Sequence, residues 1–329
     1  MNRLIREGYI GHPDQADLLR RVVLREGKAR GSEIIEVCTA EGLHLDILPD
    51  RGLDIGQARY RGYPMSWISK NGDVSAAACL PYENEFLNTF PGGLVYTCGT
   101  RNAGPANRDD GEWHPLHGRH HALGAEEVCA SRDDGGILVT GVIRETALFG
   151  HVLETRRRIR VSGTTVTVED TLANLTPRKE EYMRIFHCNF GYPLLSEKAR
   201  LILPEERETI PRTGFAEAGM DRACDFEPPV PGEEERVFFQ KMKQEFRAEL
   251  VSPEIGVRMT MTWSGDTLPI LSEWRSMAAG DYVLGLEPCN CYIMGRNRER
   301  ENGTLPVLGP FEEVRHRVTI EFTEEKDHE

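Results

Sequence analysis

The chain has 329 residues, and 40 Lys and Arg stand against 53 Asp and Glu, which gives a net charge of −13 at pH 7. Hydrophobic residues make up 39% of the chain, and the 32 glycines bring the total near half, which is typical of a globular protein and excludes general disorder. Phosphate binding requires a basic face, so the acidic balance argues against a nucleic-acid partner.

The sequence carries no targeting or membrane signal that we recognise. Charges occur throughout residues 1–19, and no stretch approaches eighteen consecutive apolar residues. The eight cysteines are scattered, and their closest pair, Cys289 and Cys291, has C-x-C spacing. This pattern favours buried free thiols over a disulfide framework or a structural zinc site. We therefore expect a cytoplasmic protein without a membrane partner.

Alternation of polar and apolar residues with a period of two dominates the chain. It is clearest at 164–170 and 317–322, and it is typical of half-buried antiparallel strands. Enrichment in β-branched and aromatic residues extends the strand prediction to nine more segments. These are 32–39, 43–48, 136–143, 152–161, 181–192, 199–203, 246–251, 256–263 and 281–287.

Turn signals join several of these strands into predicted hairpins, notably Ser162-Gly163 and the SRDDGG of 131–136. Helical composition is confined to 14–22 and 233–245. Parallel strands need crossover helices between them, and their absence predicts an all-β, antiparallel fold with few short helices. We expect one domain over 1–329, with a frayed charged tail at 323–329.

Two further segments resist the strand prediction. They are 79–110, which is rich in Gly, Pro and Asn, and 204–235, which is rich in Pro and charge. Long irregular segments inside a compact fold are often functional, so both are places to look for a site.

The segment 186–193 separates two kinds of residue if it forms a strand. His187, Asn189 and Gly191 would share one face. The other face would carry Phe186, Cys188, Phe190 and Tyr192. Such a strand offers polar groups to a cavity while its apolar side chains fill a core. A buried histidine bonded to a backbone carbonyl fits the same residues, and the pattern alone does not decide between the two.

Glu287 is the second candidate for a chemical role. On a strand it shares its face with Gly285 and Cys289, and Pro288 keeps it extended. Burying a carboxylate between leucine neighbours is costly unless the carboxylate is paired. Either Glu287 belongs to a site, or it is a glutamate on an edge strand in contact with water.

Four of the ten histidines lie in 113–121. His117 and His121 have the spacing of two ligands on a helix, but Pro115 and Gly118 favour a loop. A metal site and an ordinary loop both remain open for His114–His121, and we favour the loop without a metal.

The order of these motifs resembles that of the galactose mutarotase (aldose 1-epimerase) superfamily, and more closely an uncharacterised aldose-epimerase-like branch of it. The motifs are Leu116-His117-Gly118, then His187 with Asn189-Phe190, then Leu286-Glu287. The branch is further indicated by LPDRGLDI at 48–55 and GGLVYTCG at 92–99. The resemblance spans nearly the whole chain and implies a large antiparallel β-supersandwich.

The resemblance also implies an isomerase that interconverts the anomers of an aldose or sugar derivative without a cofactor or metal. His187 would be the general acid and Glu287 the general base, which suits an imidazole and a carboxylate. His117 would bind and polarise a sugar oxygen. The remaining expected substrate contacts are Arg119, Asn189, Asn102 and Arg51.

This chain departs from the superfamily pattern in two places. Phe186 stands where the superfamily has Asn before the histidine, and HPLHGRHH replaces the usual pattern around His117. These departures suggest a different sugar, such as a derivatised or acidic one paired with Arg51, Arg119 or Arg296.

Two alternative functions remain open at this stage. One is a non-catalytic carbohydrate-binding protein on the same fold, since fold does not fix function. The other is a metal-dependent sugar isomerase that uses the His114–His121 cluster. In each case the expected partner is a small carbohydrate. The sequence does not give the oligomeric state and leaves a homodimer open.

Overall fold

The computed structural model describes residues 3–325, and antiparallel strands form most of its regular structure. In chain order the strands are β1 (Leu18–Val23), β2 (Glu33–Cys38), β3 (Leu43–Leu48), β4 (Asp54–Tyr60), β5 (Tyr63–Pro64), β6 (Tyr96–Thr100), β7 (Asn107–Asp109), β8 (Glu112–His114), β9 (Glu126–Asp133), β10 (Gly136–Thr146), β11 (Val152–Ser162), β12 (Thr165–Asn174), β13 (Glu180–Glu181), β14 (Met183–Phe190), β15 (Arg200–Ile202), β16 (Arg207–Pro211), β17 (Arg236–Met242), β18 (Arg247–Ser252), β19 (Val257–Trp263), β20 (Ile270–Ala278), β21 (Asp281–Cys289), β22 (Val307–Leu308) and β23 (Glu313–Glu324).

The helices are short. The α-helices are α1 (Arg3–Arg6), α2 (Phe86–Thr89), α3 (Gly214–Glu217) and α4 (Arg296–Asn302). Single 3₁₀ turns occur at Pro13–Gln15, Ala76–Ala78, His120–Ala122 and Met220–Arg222. Within residues 3–325 we find no helix with the length and apolar character needed to span a membrane.

Three large sheets organise the molecule. A five-stranded sheet runs β1-β2-β3-β4-β5, an eight-stranded sheet runs β15-β18-β19-β23-β12-β11-β10-β9, and a six-stranded sheet runs β16-β17-β20-β21-β14-β6. The pairs β7-β8 and β13-β22 form two small sheets. All ladders between these strands are antiparallel. The all-β prediction with few short helices is confirmed.

Both predicted hairpins are confirmed. β11 ends at Ser162 and pairs with β12 from Thr165, while β9 ends at Asp133 and pairs with β10 from Gly136. The two helix predictions are wrong, because 14–22 contains most of β1 and 233–245 contains β17. Each of these segments pairs with neighbouring strands, and this tertiary context overrides a weak local propensity for helix.

The main core lies between the sheets and joins buried side chains from Ile35 to Phe322, with members from all three large sheets. A second apolar cluster covers the opposite face of the six-stranded sheet and includes Ile185 of β14 and Cys289 of β21. The strands in the middle of that sheet are therefore covered on both faces. We retain the single domain as a proposal, which this shared core supports.

The last strand continues into the predicted tail. Thr323 and Glu324 belong to β23, and Glu325 forms an ion pair with Arg258 at 2.8 Å. The rest of the predicted tail, 326–329, lies outside the described residues.

All eight cysteines are free thiols, as predicted. Five of them are buried, and Cys38 and Cys224 are partly exposed. The prediction of burial is wrong for Cys129, which is exposed on β9 at the edge of the eight-stranded sheet.

Candidate active site

Neighbouring strands in the six-stranded sheet bring the two predicted chemical groups together. β14 pairs with β21 so that Cys188 lies opposite Leu286, and the same register puts His187 opposite Glu287. On the far side of β21, Ser272 of β20 pairs with Glu287. Residues 100 positions apart therefore meet on one row of the sheet.

The two side chains are in direct contact. Nε2 of His187 lies 3.1 Å from Oε1 of Glu287, and the two residues are only 5% and 3% exposed. The alternative of an edge-strand glutamate in water is wrong, because β21 lies between β20 and β14. A histidine bonded to a carbonyl is also wrong, because Nδ1 of His187 has no hydrogen-bond partner among the described residues.

The predicted separation of faces on β14 is confirmed for its strand residues. Phe186, Cys188 and Phe190 pack into the main core, while His187 faces the opposite side. The prediction is wrong for Tyr192, which is 71% exposed. β14 ends at Phe190, so strand alternation no longer governs the side chain two residues later.

The pair opens into a cavity of about 240 Å³. This volume is below the roughly 300–1,000 Å³ typical of sites for drug-sized ligands, and it suits a smaller molecule. The ring centroids of Phe90 and Trp274 lie 5.1 and 5.3 Å from that of His187. The lining consists of Phe86, Leu87, Phe90, Gly104, Pro105, Leu116, His117, His187, Arg212, Glu235, Val237, Ser272, Trp274, Glu287 and Ile293.

Burial controls the protonation of the pair. Loss of water around the carboxylate raises the pKa of Glu287 to about 8, against a smaller lowering by the hydrogen bond from Ser272. Loss of water around the imidazolium lowers the pKa of His187 to about 4. Near neutral pH the pair therefore holds one proton between Nε2 and Oε1.

His117 is held on a strained backbone beside the pair. Its φ is +57°, its N–H donates to Gly104 O at 2.9 Å, and its carbonyl accepts from Gly99 N at 3.0 Å. The N–H of Gly104 also approaches Nδ1 at 3.4 Å, so the ring proton belongs on Nε2. Burial keeps the pKa of His117 well below its usual value. The ring is thus a neutral donor that lines the cavity, as the prediction of a sugar contact requires.

The other histidines of the run point elsewhere. His114 lies near Arg296, His120 lies near the buried Arg184, and His121 stacks on Tyr96 with centroids 5.3 Å apart. Over the described range 3–325, no group of three or more His, Cys, Asp or Glu side chains has the geometry to hold a metal ion. The run does not form one site, so we do not pursue the metal-dependent alternative.

Arg51 is a structural residue and does not line the cavity. Its guanidinium donates to the carbonyl oxygens of His121 at 2.9 Å and Val74 at 2.5 Å, and to the hydroxyl of Tyr96. The residue is 3% exposed. The expected sugar contact at Arg51 is wrong, because these backbone and side-chain oxygens already accept the N–H groups of its guanidinium.

Asn102 lies behind the cavity wall. Its amide donates to Pro115 O at 2.7 Å, and its oxygen accepts from Arg296 N at 2.8 Å and from Asn107 Nδ2 at 2.9 Å. The expected sugar contact is wrong here too, because both the nitrogen and the oxygen of the amide already form hydrogen bonds between loops. Asn102 instead holds the segment that carries His117.

Arg119 and Arg296 also lie away from the pair. Arg119 is exposed. Burial raises the pKa of Glu145 and lowers that of His151, and the positive charge of Arg119 acts to lower both pKa values. Nε of Arg296 forms an ion pair with Asp109 at 2.9 Å. Neither arginine lines the cavity, so the structure does not support the predicted recognition of an acidic sugar by Arg51, Arg119 or Arg296 at this site.

Asn189 lies two residues after His187 on β14 and does not line the cavity. Its Nδ2 donates to Gly93 O at 3.0 Å and to His187 O at 2.9 Å. The residue is fully buried, so a direct sugar contact is wrong for it as well.

Four cavity residues with polar side-chain groups, Arg212, Glu235, Ser272 and Trp274, were not predicted from the sequence. Nη2 of Arg212 lies 2.7 Å from Oε1 of Glu235, and Nε1 of Trp274 donates to Oε2 of the same carboxylate at 2.7 Å. Arg212 falls in a segment that we read as irregular, and β20 was not predicted. Alternation of Ser272 and Trp274 with Leu271 is a weak period-two signal that could have located β20.

Solved structures share this fold. A candidate aldose 1-epimerase from Klebsiella pneumoniae is 24% identical with a TM-score of 0.87, covering 94% of this chain and 84% of its own. A galactose mutarotase-like protein from Clostridium acetobutylicum is 14% identical with a TM-score of 0.69, covering 94% and 99%. A galactose 1-epimerase from Lactobacillus acidophilus is 13% identical with a TM-score of 0.62, also covering 94% and 99%.

The galactose mutarotase-like fold expected from the motifs is confirmed by these likenesses. No curated protein sequence matches the chain. A family model described as a domain of unknown function (DUF4432) matches residues 29–322, and the chain therefore belongs to this family.

Proposed function

We propose that the protein is a cofactor-independent mutarotase that interconverts the α and β anomers of a neutral aldose. The observation that carries the proposal is the 3.1 Å contact between His187 Nε2 and Glu287 Oε1 at a cavity of about 240 Å³. Paired acid and base groups are what the opening and closing of a cyclic hemiacetal require. The epimerase and mutarotase names of proteins with the same fold support the reaction class.

The single proton of the pair accounts for both directions of the reaction. With the proton on His187, the Glu287 carboxylate takes the proton from the O1 hydroxyl while Nε2 gives its proton to the ring oxygen. The bond between C1 and the ring oxygen breaks, and an aldehyde forms at C1. The proton of the pair now rests on Glu287. After rotation about the C1–C2 bond the same steps run backwards and yield the other anomer.

Burial favours the arrangement with the proton on Glu287, because it disfavours both the imidazolium and the carboxylate. Transfer of the proton across the 3.1 Å contact gives the less stable ion pair, which is the form that can donate to the ring oxygen and accept from O1. A proton that can transfer within the pair suits an acid and a base that must exchange roles in each turnover.

The rest of the lining supports a sugar ligand. His117 offers a neutral Nε2–H to a sugar oxygen, and Phe90 and Trp274 contribute aromatic rings to the lining, which suits the C–H surface of a pyranose. Arg212 is the arginine that lines the cavity, and its charge is already balanced by Glu235. An added carboxylate would lie near Glu235 and Glu287, so a neutral aldose fits better than an acidic one.

Saturation-transfer NMR between the α and β anomeric protons tests the proposal, because it resolves catalysed exchange from spontaneous mutarotation. We would screen neutral aldoses and deoxy sugars beside uronic acids. Enhanced exchange on a neutral aldose, lost in both His187→Ala and Glu287→Gln, supports the proposal. Ligand line-broadening without exchange in the wild type would contradict it and would indicate a carbohydrate-binding protein.

A further inference from the structure

Three buried polar atoms around the catalytic pair lack a conventional hydrogen-bond partner among the described residues. They are Nδ1 of His187, Oδ1 of Asn189 and Oε1 of Glu287. A buried polar atom without a partner destabilises the folded state, so three of them in one place call for an explanation. Oε1 lies 3.1 Å from Nε2 of His187, which joins two of the three residues.

Strand geometry places the third residue, Asn189, on the same face as His187. His187 and Asn189 are separated by one residue on β14, so their side chains leave the same face of the sheet. The two hydrogens of the Asn189 amide are committed to the carbonyls of Gly93 and His187 at 3.0 and 2.9 Å. These bonds fix the amide orientation and leave Oδ1 as the free, acceptor-only end.

We propose that Asn189 is a positioning residue whose side-chain oxygen accepts the Nδ1–H of His187. The acceptor fixes the tautomer of the imidazole, because Nδ1 must carry a proton to make the bond. Nε2 is then the nitrogen that accepts and returns the proton shared with Glu287. In this arrangement Asn189, His187 and Glu287 form one chain of hydrogen bonds. Oδ1 of Asn189 bonds to Nδ1 of His187, and Nε2 of His187 bonds to Oε1 of Glu287.

The electrostatics of His187 agree with this arrangement. Burial is the main influence and lowers the pKa of His187, and the nearby Asn189 side chain acts in the opposite direction, as an acceptor of a hydrogen bond would. An acceptor at Nδ1 has this effect because it stabilises the imidazolium, in which both ring nitrogens carry protons. In the resting state Oδ1 of Asn189 accepts the hydrogen bond from Nδ1–H of His187. Nε2 of His187 then accepts the hydrogen bond from the protonated Oε1 of Glu287.

The tautomer can be read without any substrate, so its test is separate from that of the proposed function, on which only the kinetic consequence rests. Protein labelled with ¹⁵N at histidine gives long-range ¹H–¹⁵N spectra at pH 7, and His187→Gln identifies the signals of His187. We expect a protonated Nδ1 in the wild type. We also expect the share of the Nε2–H tautomer to rise in Asn189→Ala.

Asn189→Asp provides a second variant if Asn189→Ala does not fold. A carboxylate next to Nδ1 should raise the pKa of His187 by about one unit or more. The matched control is Asn174→Ala, since Asn174 is also fully buried and donates to two carbonyls, those of Arg178 and Gly309. It should leave the His187 signals unchanged.

The kinetic consequence is measured once a sugar is identified. Asn189→Ala should lower kcat at least about tenfold with KM changed less than about threefold, because the tautomer affects proton transfer and not binding. An unprotonated Nδ1 in the wild type, or His187 spectra that are identical in wild type and Asn189→Ala, would overturn the inference. Failure of every sugar to exchange would overturn the proposed function and leave the tautomer result standing.

Discussion

At the scale of single residues, the site depends on two titratable groups whose environments move their pKa values apart. An ordinary glutamate loses its proton well below pH 7, and an ordinary histidine loses its own near pH 6.5. Burial reverses that order here, because it favours the neutral form of each. The result is a pair that keeps one proton over a wide span of pH, which neither group could do alone.

The first prediction concerns the pH dependence of the catalysed rate. The lowered pKa of His187, about 4, means that a second proton enters the pair only below that pH and removes the base. The raised pKa of Glu287, about 8, means that the last proton leaves only above that pH and removes the acid. We therefore expect kcat/KM to be level between about pH 4 and pH 8 and to fall outside this range.

The measurement is anomer exchange from pH 3.5 to 9.5, with the rate in buffer subtracted at each pH. A decline that already begins near pH 6.5 would contradict the account, because it would mean that His187 titrates at its ordinary value.

A second prediction at this scale concerns Gly285. A Cβ at this position would lie 2.7 Å from Oε1 of Glu287 and 3.0 Å from the Trp274 ring, while its φ is not in the left-handed region. Gly285→Ala should therefore displace the carboxylate without straining the backbone, and we expect kcat/KM to fall about tenfold or more. Steady-state kinetics with a thermal-unfolding check provide the measurement.

Gly214→Ala is the matched control for Gly285→Ala, because a Cβ at Gly214 meets nothing within 4 Å. If Gly285→Ala is as active as Gly214→Ala, Glu287 does not need the position in which the structure holds it.

At the scale of elements, the sequence predicted those strands whose pattern is local. Enrichment in β-branched and aromatic residues located both β14 and β21, and alternation separated the core face of β14 from its site face. β17 was taken for a helix because its composition is charged and its apolar residues, Val237 to Phe239, are consecutive. A strand covered on both faces loses the period-two signal, so its position becomes evident only when its neighbours are known.

The roles of residues on irregular segments were harder to predict. Arg51, Asn102 and Arg119 were predicted to contact the sugar, yet the structure places all three away from the cavity. A polar side chain in a loop is expected to form hydrogen bonds, but the sequence does not show with which group. Arg51 and Asn102 each donate to backbone carbonyl oxygens. Arg212 and Glu235 face the cavity from a segment without any periodic signal.

The third prediction concerns the loop that carries His117. Removal of the Asn102 amide leaves the N–H of Arg296 without its acceptor and takes the shorter of two hydrogen bonds from the buried carbonyl of Pro115, which keeps the one from Gly118 N. We expect Asn102→Ala to lower the free energy of unfolding by about 2–3 kcal/mol, and to raise KM because His117 loses its fixed position. Urea unfolding and steady-state kinetics measure both effects.

Asn88→Ala, at an exposed position of α2, serves as the control for Asn102→Ala, and it should change stability by less than about 0.5 kcal/mol. Equal stability of the two variants would show that Asn102 does not hold the loop.

At the scale of the whole molecule, one buried guanidinium connects the three large sheets. Arg157 of β11 donates to both oxygens of Asp170 at 2.8 and 2.7 Å, to Thr97 of β6 at 2.8 Å, and to Asp54 of β4. The arginine and both aspartates are fully buried. Hydrophobic patterning specifies each sheet, whereas this cluster specifies how the sheets meet, and no sequence motif identified it.

The fourth prediction follows from this cluster. Arg157→Leu leaves Asp54 and Asp170 as buried carboxylates without their cation, and we expect a loss of about 3–5 kcal/mol in the free energy of unfolding. Arg158→Leu is a matched control, because the next residue on the same strand is exposed. Chemical unfolding of both variants would contradict the account if their midpoints were the same.

The central claim is that His187 and Glu287 exchange one proton with the sugar as its ring opens and closes. The most direct test is the rate of exchange between α and β anomeric protons, measured by saturation transfer with wild type, Glu287→Gln and the exposed-site control Glu301→Gln. The account expects exchange above the buffer rate for wild type and Glu301→Gln and exchange at the buffer rate for Glu287→Gln. Undiminished exchange in Glu287→Gln would contradict it.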